Sequence, residues 1–270
     1  MIRKTGQMPL DLPEVHPFTN TSAQVLDPAA TLMEKVADLN IDLRHHSATD
    51  VLSVAIAQVP NLALVSSFGA ESVALLHLAS MVERDLPVLF IDTEMLFAET
   101  LVYQHELTER LGLRNVTILR AADMARKDPD GMLHESDPDA CCNTRKTVPL
   151  NAALSGFDGW ITGRKRFQSG TRAALEFFEA EAGTNEAGGR IKVNPLAFWN
   201  ADDVNEYITE NRLPRHPLVA KGYPSIGCAP CTSPVKKDED PRAGRWRDTT
   251  KDECGIHFVN GKMVRTGAKI

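Results

Sequence analysis

The chain has 270 residues, 43% of them hydrophobic, and a formal net charge of −6. That is enough apolar material for a substantial core in one α/β domain, or one domain with appendages, while the acidic balance argues against broad contact with nucleic-acid phosphates. No apolar run approaches the roughly 18 residues of a membrane helix, and the basic N-terminus has no apolar stretch behind it, so neither a membrane nor a secretory segment is expected and the location reads as cytoplasmic.

Residues 1–30 are rich in Pro, Thr and Asp without periodicity and read as a loosely held arm. The spacing predicts a helix over 47–58 with Ser47 as N-cap. Leu62–Ser66 is a short apolar run suited to a buried parallel strand. The turn Ser67–Ala70 leads into helical character over 71–82. A second buried strand is expected at 87–91, a helix over 97–111 ended by Gly112, and a third strand at 116–119. Two further strands are predicted at 159–163 and 190–193, then a helix over 201–211 with Asn200 as N-cap. Strands alternating with helices of this length indicate βαβ units on a parallel sheet. Such sheets bind ligands at the carboxyl ends of their strands, so the loops after Val65, Ile91 and Ile161 lead the site candidates. The α/β domain is placed at 31–235 and a Gly-, Pro- and charge-rich tail at 236–270.

Five cysteines divide four plus one: Cys141–Cys142, Cys228–Cys231 and Cys254. In a reducing compartment two such pairs read as a soft-metal site, which leaves the fifth thiol for chemistry. Asp137 and Pro138 open a helix before Cys141, and a helix start favours thiolates. Arg145 and Lys146 follow Cys141 and Cys142 by four residues and share their helix faces. Adjacent helical residues point about 100° apart, which favours an iron–sulfur cluster over a single zinc ion without excluding zinc. A buried Cys pair beside an unrelated redox C-x-x-C is the plainer reading, and the basic neighbours count against it.

Two basic runs complete the inventory. Gly163–Arg172, with Arg164, Lys165, Arg166 and Arg172, follows a predicted strand, and Pro241–Arg247, with Arg242 and Arg245, precedes Cys254. A charge run is usually a solvated face. Two runs and Lys146 at one sheet edge favour an anionic substrate instead. The first loop, Ser66, Ser67, Phe68, Gly69, Ala70, Glu71 and Ser72, offers backbone amides and a helix start to an anion, although it is no Walker A loop. An ordinary βα turn with a Ser cap is an equal reading of that loop by itself.

Ser-Phe-Gly-Ala-Glu-Ser, Cys-Cys-x-x-Arg-Lys, Gly-Cys-x-x-Cys and Glu-Cys-Gly-x-His, in this order over 66–257, resemble the assimilatory adenylyl-sulfate (APS) reductases, in the PAPS reductase group of the PP-loop superfamily. The resemblance implies an α/β parallel-sheet fold of the adenine nucleotide alpha hydrolase-like (PP-loop) type with an iron–sulfur site and a mobile C-terminal tail. It makes 31–235 the nucleotide-binding domain with the cluster and 236–270 the catalytic tail. It implies one [4Fe-4S] cluster per subunit on Cys141, Cys142, Cys228 and Cys231, and reduction of APS to sulfite and AMP with thioredoxin as electron donor, in sulfate assimilation and cysteine biosynthesis. Cys254 is the expected nucleophile, forming an S-sulfonate, with His257 close to the same group and Lys146, Arg242 and Arg245 around the phosphosulfate. Arg164 and Arg172 are further substrate contacts. A homo-oligomer is expected, with no membrane and no nucleic-acid partner.

The family pattern Leu-Asp-Thr-Gly stands here as Ile91-Asp92-Thr93-Glu94, so Asp92 and Thr93 carry over as substrate contacts and Glu94 departs. Three other functions compete: a reductase of the 3′-phosphorylated substrate (PAPS) that keeps a cluster, a PP-loop ATP pyrophosphatase of the tRNA-thiolating type, and a zinc-binding interaction module.

Overall fold

The computed structural model describes residues 28–182, 189–247, 258–259 and 262–263. In chain order they form α1 (Pro28–Asp42), α2 (Ala48–Gln58), β1 (Leu62–Ser66), α3 (Ser72–Val82), β2 (Val88–Ile91), α4 (Ala98–Leu111) and β3 (Val116–Leu119). Next come the short helices α5 (Met124–Lys127), α6 (Leu133–Ser136) and α7 (Pro138–Cys142), then α8 (Val148–Leu154) and β4 (Gly159–Ile161). The hairpin β5 (Phe178–Ala182) and β6 (Gly189–Val193) precedes α9 (Ala201–Glu210), and a small ribbon pairs β7 (Phe258–Val259) with β8 (Lys262–Met263).

The six-stranded sheet runs β3-β2-β1-β4-β6-β5. All neighbours are parallel except β5, which lies antiparallel on β6. Side chains alternate across the strands as the pleat requires. Leu62, Leu64, Val88, Phe90 and Ile161 enter a large core with helices α2, α3, α4 and α9. Ala63, Leu89, Ile91 and Trp160 face the other way, onto Leu150 and Leu154 of α8. Strands buried on both faces explain the near-continuous apolar runs.

The predicted caps form as expected. Ser47 and Asp50 make a reciprocal capping box at α2, and Asn200 with Asp203 makes another at α9. Gly112 ends α4 at φ +64°, a left-handed conformation that glycine adopts without steric cost. Among the elements outside the sequence expectations are α1, which begins inside the assigned arm, and β5. They pack together, and the Asn40 amide donates to the Phe178 carbonyl at 2.9 Å and accepts from its N–H at 2.9 Å. Among the described residues no helix is long and apolar enough to cross a membrane.

Candidate active site

Strand order reverses between β1 and β4, whose chains then leave in opposite directions around the sheet. Such a switch point opens a crevice at the strands' carboxyl ends. A cavity of about 340 Å³ occupies it. The first loop lines one side, the Gly163–Arg172 loop another, and the segments 224–228 and 240–246 close it. Six basic side chains, Lys146, Arg164, Lys165, Arg172, Arg242 and Arg245, face two acidic ones, Glu71 and Asp240. The excess of positive charge suits an anionic ligand, in a chain that is acidic as a whole.

The first loop is more self-contained than its composition suggested. Ser66 Oγ accepts from Phe68 N–H at 3.1 Å, and Ser72 Oγ from Gly69 N–H at 3.0 Å. Two of the amides expected to face an anion are therefore already satisfied. Ser66, Ser67, Gly69, Ala70, Glu71 and Ser72 line the cavity, whereas Phe68 turns into the core, edge-on to Phe90.

Thr93 also lines the cavity, but Asp92 does not. Asp92 is buried, accepts from Arg120 at 2.9 Å and accepts the Glu94 N–H at 2.9 Å, so it organises the turn after β2. Glu94 sits at φ +59°, a backbone that favours glycine, which gives a physical reason for the Gly of the family pattern. Its carboxylate comes within 3.7 Å of Arg145.

Arg164 lies on the wall but also binds Glu179 and, at 3.0 Å, Asn194. Lys165, part of the noted run though not among the expected contacts, is buried and donates to Glu71 at 2.8 Å. Burial pulls its pKa down and Glu71 opposes that shift. Gln168 donates to the same Glu71 oxygen at 3.0 Å and accepts from Arg172. The two loops that frame the switch point are thus bonded to each other.

Arg242 and Arg245 reach the cavity because their segment pairs with the C-x-x-C. Ser233 N–H donates to the Gly244 carbonyl at 2.8 Å, and Trp246 N–H to the Cys231 carbonyl at 3.0 Å. The Arg245 guanidinium lies over the Trp246 ring at 4.5 Å and fills the space where a Cβ on Gly227 would stand.

The four cysteines line a second, smaller cavity with Met95, His134, Arg145 and Lys146. Lys146 and Cys228 border both cavities. None of the four is in a disulfide. Thr93 Oγ1 stands 3.2 Å from Cys228 Sγ. Arg145 donates to the Thr93 carbonyl at 2.8 Å and to the buried Asp128 at 2.7 Å. The chain winds as a π-helix over Asn143–Thr147, so the regular α-helical spacing used to pair Arg145 and Lys146 with the cysteines does not apply there.

At Cys141 burial opposes the pull of the helix start towards the thiolate. Burial first, then the neighbouring Cys142, pushes the Cys141 thiol up to about 11, and burial and Cys228 push Cys231 up as well. Cys254 and His257 lie outside the described residues.

The sheet, the basic cavity at its switch point and the adjoining cysteine quartet define an α/β protein built to hold an anionic ligand beside a thiol-rich chamber. Residues 61–234 match the phosphoadenosine phosphosulfate reductase domain, and the chain belongs to that family. It is 48% identical over 211 residues to an adenosine 5′-phosphosulfate reductase of Mesorhizobium japonicum, covering 77% of this chain and 81% of that protein. A protein of the same description from Chelativorans sp. is 43% identical, over 87% of this chain and 96% of the relative. A solved phosphoadenylyl-sulfate (PAPS) reductase from Candida auris, in complex with phosphate, superposes with a TM-score of 0.64 at 30% identity, covering 75% of this chain and 97% of that one.

Proposed function

We propose that the chain reduces adenylyl sulfate to sulfite and AMP, with thioredoxin as reductant and Cys254 as nucleophile. One observation carries the reading: a cavity with six basic side chains at the sheet's switch point shares Lys146 and Cys228 with the chamber of the cysteine quartet. The names of the relatives at 48% and 43% identity support APS as the substrate.

In the proposed chemistry the Cys254 thiolate attacks the sulfonyl sulfur of APS, the S–O bond to the phosphate breaks, and AMP leaves with the electron pair. A Cys254 S-sulfonate remains. Thioredoxin's thiolate attacks the Cys254 sulfur and releases sulfite. Its second thiol resolves the mixed disulfide, so thioredoxin leaves oxidised and Cys254 returns as a thiolate. Lys146, Arg242 and Arg245 neutralise the phosphosulfate, and His257 completes that end of the site.

The four thiols fit a [4Fe-4S] cluster. Among the described residues no three His, Cys, Asp or Glu side chains are grouped to hold one metal ion. Four cysteines nevertheless share a chamber, an arrangement better suited to a cluster whose irons are spread apart. The buried Arg145 Nε, which borders that chamber, has no hydrogen-bond partner among the described residues. Cys141, Cys142, Cys228 and Cys231 would hold the group, and bound there it would supply local charge and order beside Lys146.

The test is sulfite release from APS with reduced thioredoxin, run beside PAPS. Turnover with APS and not PAPS is expected, and no sulfite from either would sink the reading. A Cys254→Ser variant should lose sulfite formation and keep an iron absorption band. Loss of both together would overturn the division of labour between the cysteines.

A further inference from the structure

Strand β5 brings two carboxylates to the sheet. In its antiparallel register Glu179 stands opposite Lys192 and Glu181 opposite Arg190. Glu179 receives Arg164 and the Asn194 amide. Glu181 Oε2 receives Arg190 at 3.0 Å and the Trp160 indole N–H at 3.0 Å, and its Oε1 lies 3.7 Å from Lys192 Nζ. The Lys192 ammonium also stands over the Trp160 ring, 4.5 Å from its centroid. The indole is thus gripped at its N–H by a carboxylate and on its face by a cation.

Trp160 forms part of the wall of the main cavity, and Lys192 lies behind it, 3% exposed. Arg164, Arg190 and Lys192 share two carboxylates here, and Arg172 adds to the positive field at Lys192. A buried ammonium is costly unless negative charge compensates it. With Glu181 divided among three partners, further compensation comes from the other side of the indole, where an anion enters the cavity.

We propose that Lys192 is a positioning residue for the proposed reaction: it fixes the Trp160 indole in the cavity wall and sets a positive charge behind it that tightens the hold on the substrate's anionic group. The proposal rests on the reading of this cavity as the adenylyl sulfate site.

Burial first, then Arg164, brings the Lys192 pKa down to about 8, and Glu181 and Glu179 oppose that shift. The charged groups around Lys192 are Glu179 and Glu181 of β5, Arg190 of its own strand, and Arg164 and Arg172 from the loop after β4. Carboxylates and guanidiniums ordinarily keep their charge between about pH 7 and 9.5. The other buried lysine with a lowered pKa is Lys165, on the cavity wall itself.

Calorimetric titration of the purified full-length protein with AMP, from about pH 7 to about 9.5, tests the proposal without turnover. For the unsubstituted protein the affinity should fall by about tenfold across this range, the order of effect of one charge in a protein-like dielectric. Lys192→Met should start about tenfold weaker at the lower pH and lack the fall. Lys192→Arg should keep the starting affinity and hold it throughout, because a guanidinium retains its proton there. A lysine that only supported the fold would give no such rescue. Should Lys192→Met fail to fold, the Arg variant decides alone. An unsubstituted profile without a fall, a fall that persists in Lys192→Arg as it would if Lys165 were its source, or an Arg variant without the starting affinity overturns the role of Lys192 while AMP binding stands. Failure of the unsubstituted protein to bind AMP at any of these pH values overturns the reading of the cavity, and this proposal with it.

Discussion

Gly227 and Arg245 illustrate how one residue's identity is set by another's position. The guanidinium lies where a Cβ would be, so Gly227→Ala must push Arg245 off the cavity wall. A long side chain can move, so the fold should lose no more than about 1 kcal/mol, whereas the KM for APS should rise by about tenfold if one charged contact is lost. Steady-state kinetics beside thermal unfolding separates the two effects, and an unchanged KM would remove Arg245 from the substrate's surroundings. The arginine was legible in the sequence as part of a basic run, but the reason for the glycine was not, because they stand 18 residues apart and meet only when 240–246 folds back on the C-x-x-C. The same holds for Asp128 and Arg145, a buried pair that no spacing announces. Asp92 misled for a related reason: a motif residue can serve the loop rather than the ligand.

Among the elements, the segment Pro217–Lys221 shows how a cavity wall is fixed from behind. His216 is buried and accepts the Leu218 N–H on Nδ1 at 3.2 Å, so its proton sits on Nε2, which donates to Thr100 of α4 at 3.0 Å. Burial holds its pKa at about 4 against an ordinary 6.5. The unfolded chain therefore takes up this proton first. The contribution to stability is full above pH 6.5 and is lost as the pH falls towards 4, with a slope of at most about 1.4 kcal/mol per pH unit. His77, also lowered by burial, adds in the same sense. Denaturant unfolding of the His216→Gln variant across this range should show a shallower slope, and an unchanged slope would exclude His216 as its source. The long helices and parallel strands were readable because caps and apolar runs agree with one another. Strand β5 was not: Phe-Glu-Ala-Glu-Ala alternates as a strand should, but Glu and Ala are poor strand formers and good helix formers. Its glutamates are instead satisfied by cations, Glu179 by Arg164 and Glu181 by Arg190 at 3.0 Å. Helix α1 had a readable stripe in Leu32, Val36 and Leu39, continued by Leu43 just beyond its end, which was obscured by the irregular residues before it.

For the whole molecule, charge is unevenly shared: the chain carries −6 overall while its main cavity is basic. Attraction of an anion into that cavity is screened by salt, so the KM for APS should rise steadily between about 10 and 500 mM salt as the screening length contracts. A flat profile would argue that the basic side chains are spent on the protein's own carboxylates. Cys141 as a protein thiol should be slow to react. A Cys141 thiol at about 11 rather than 9.0 holds about a hundredfold less thiolate at neutral pH, so alkylation followed by mass spectrometry should label it far more slowly than a free cysteine. Rapid labelling of Cys141 in the metal-free protein would contradict the packing described. Asn40 has a consequence of another kind. An outermost strand is an open template on which a second molecule can zip, and the carboxamide of Asn40 answers both backbone groups of Phe178 as a neighbouring strand would. Asn40→Ala would uncover that template without touching either cavity. Its signature should be colloidal: light scattering that grows with protein concentration and storage time, in a protein whose catalysis per soluble molecule is intact.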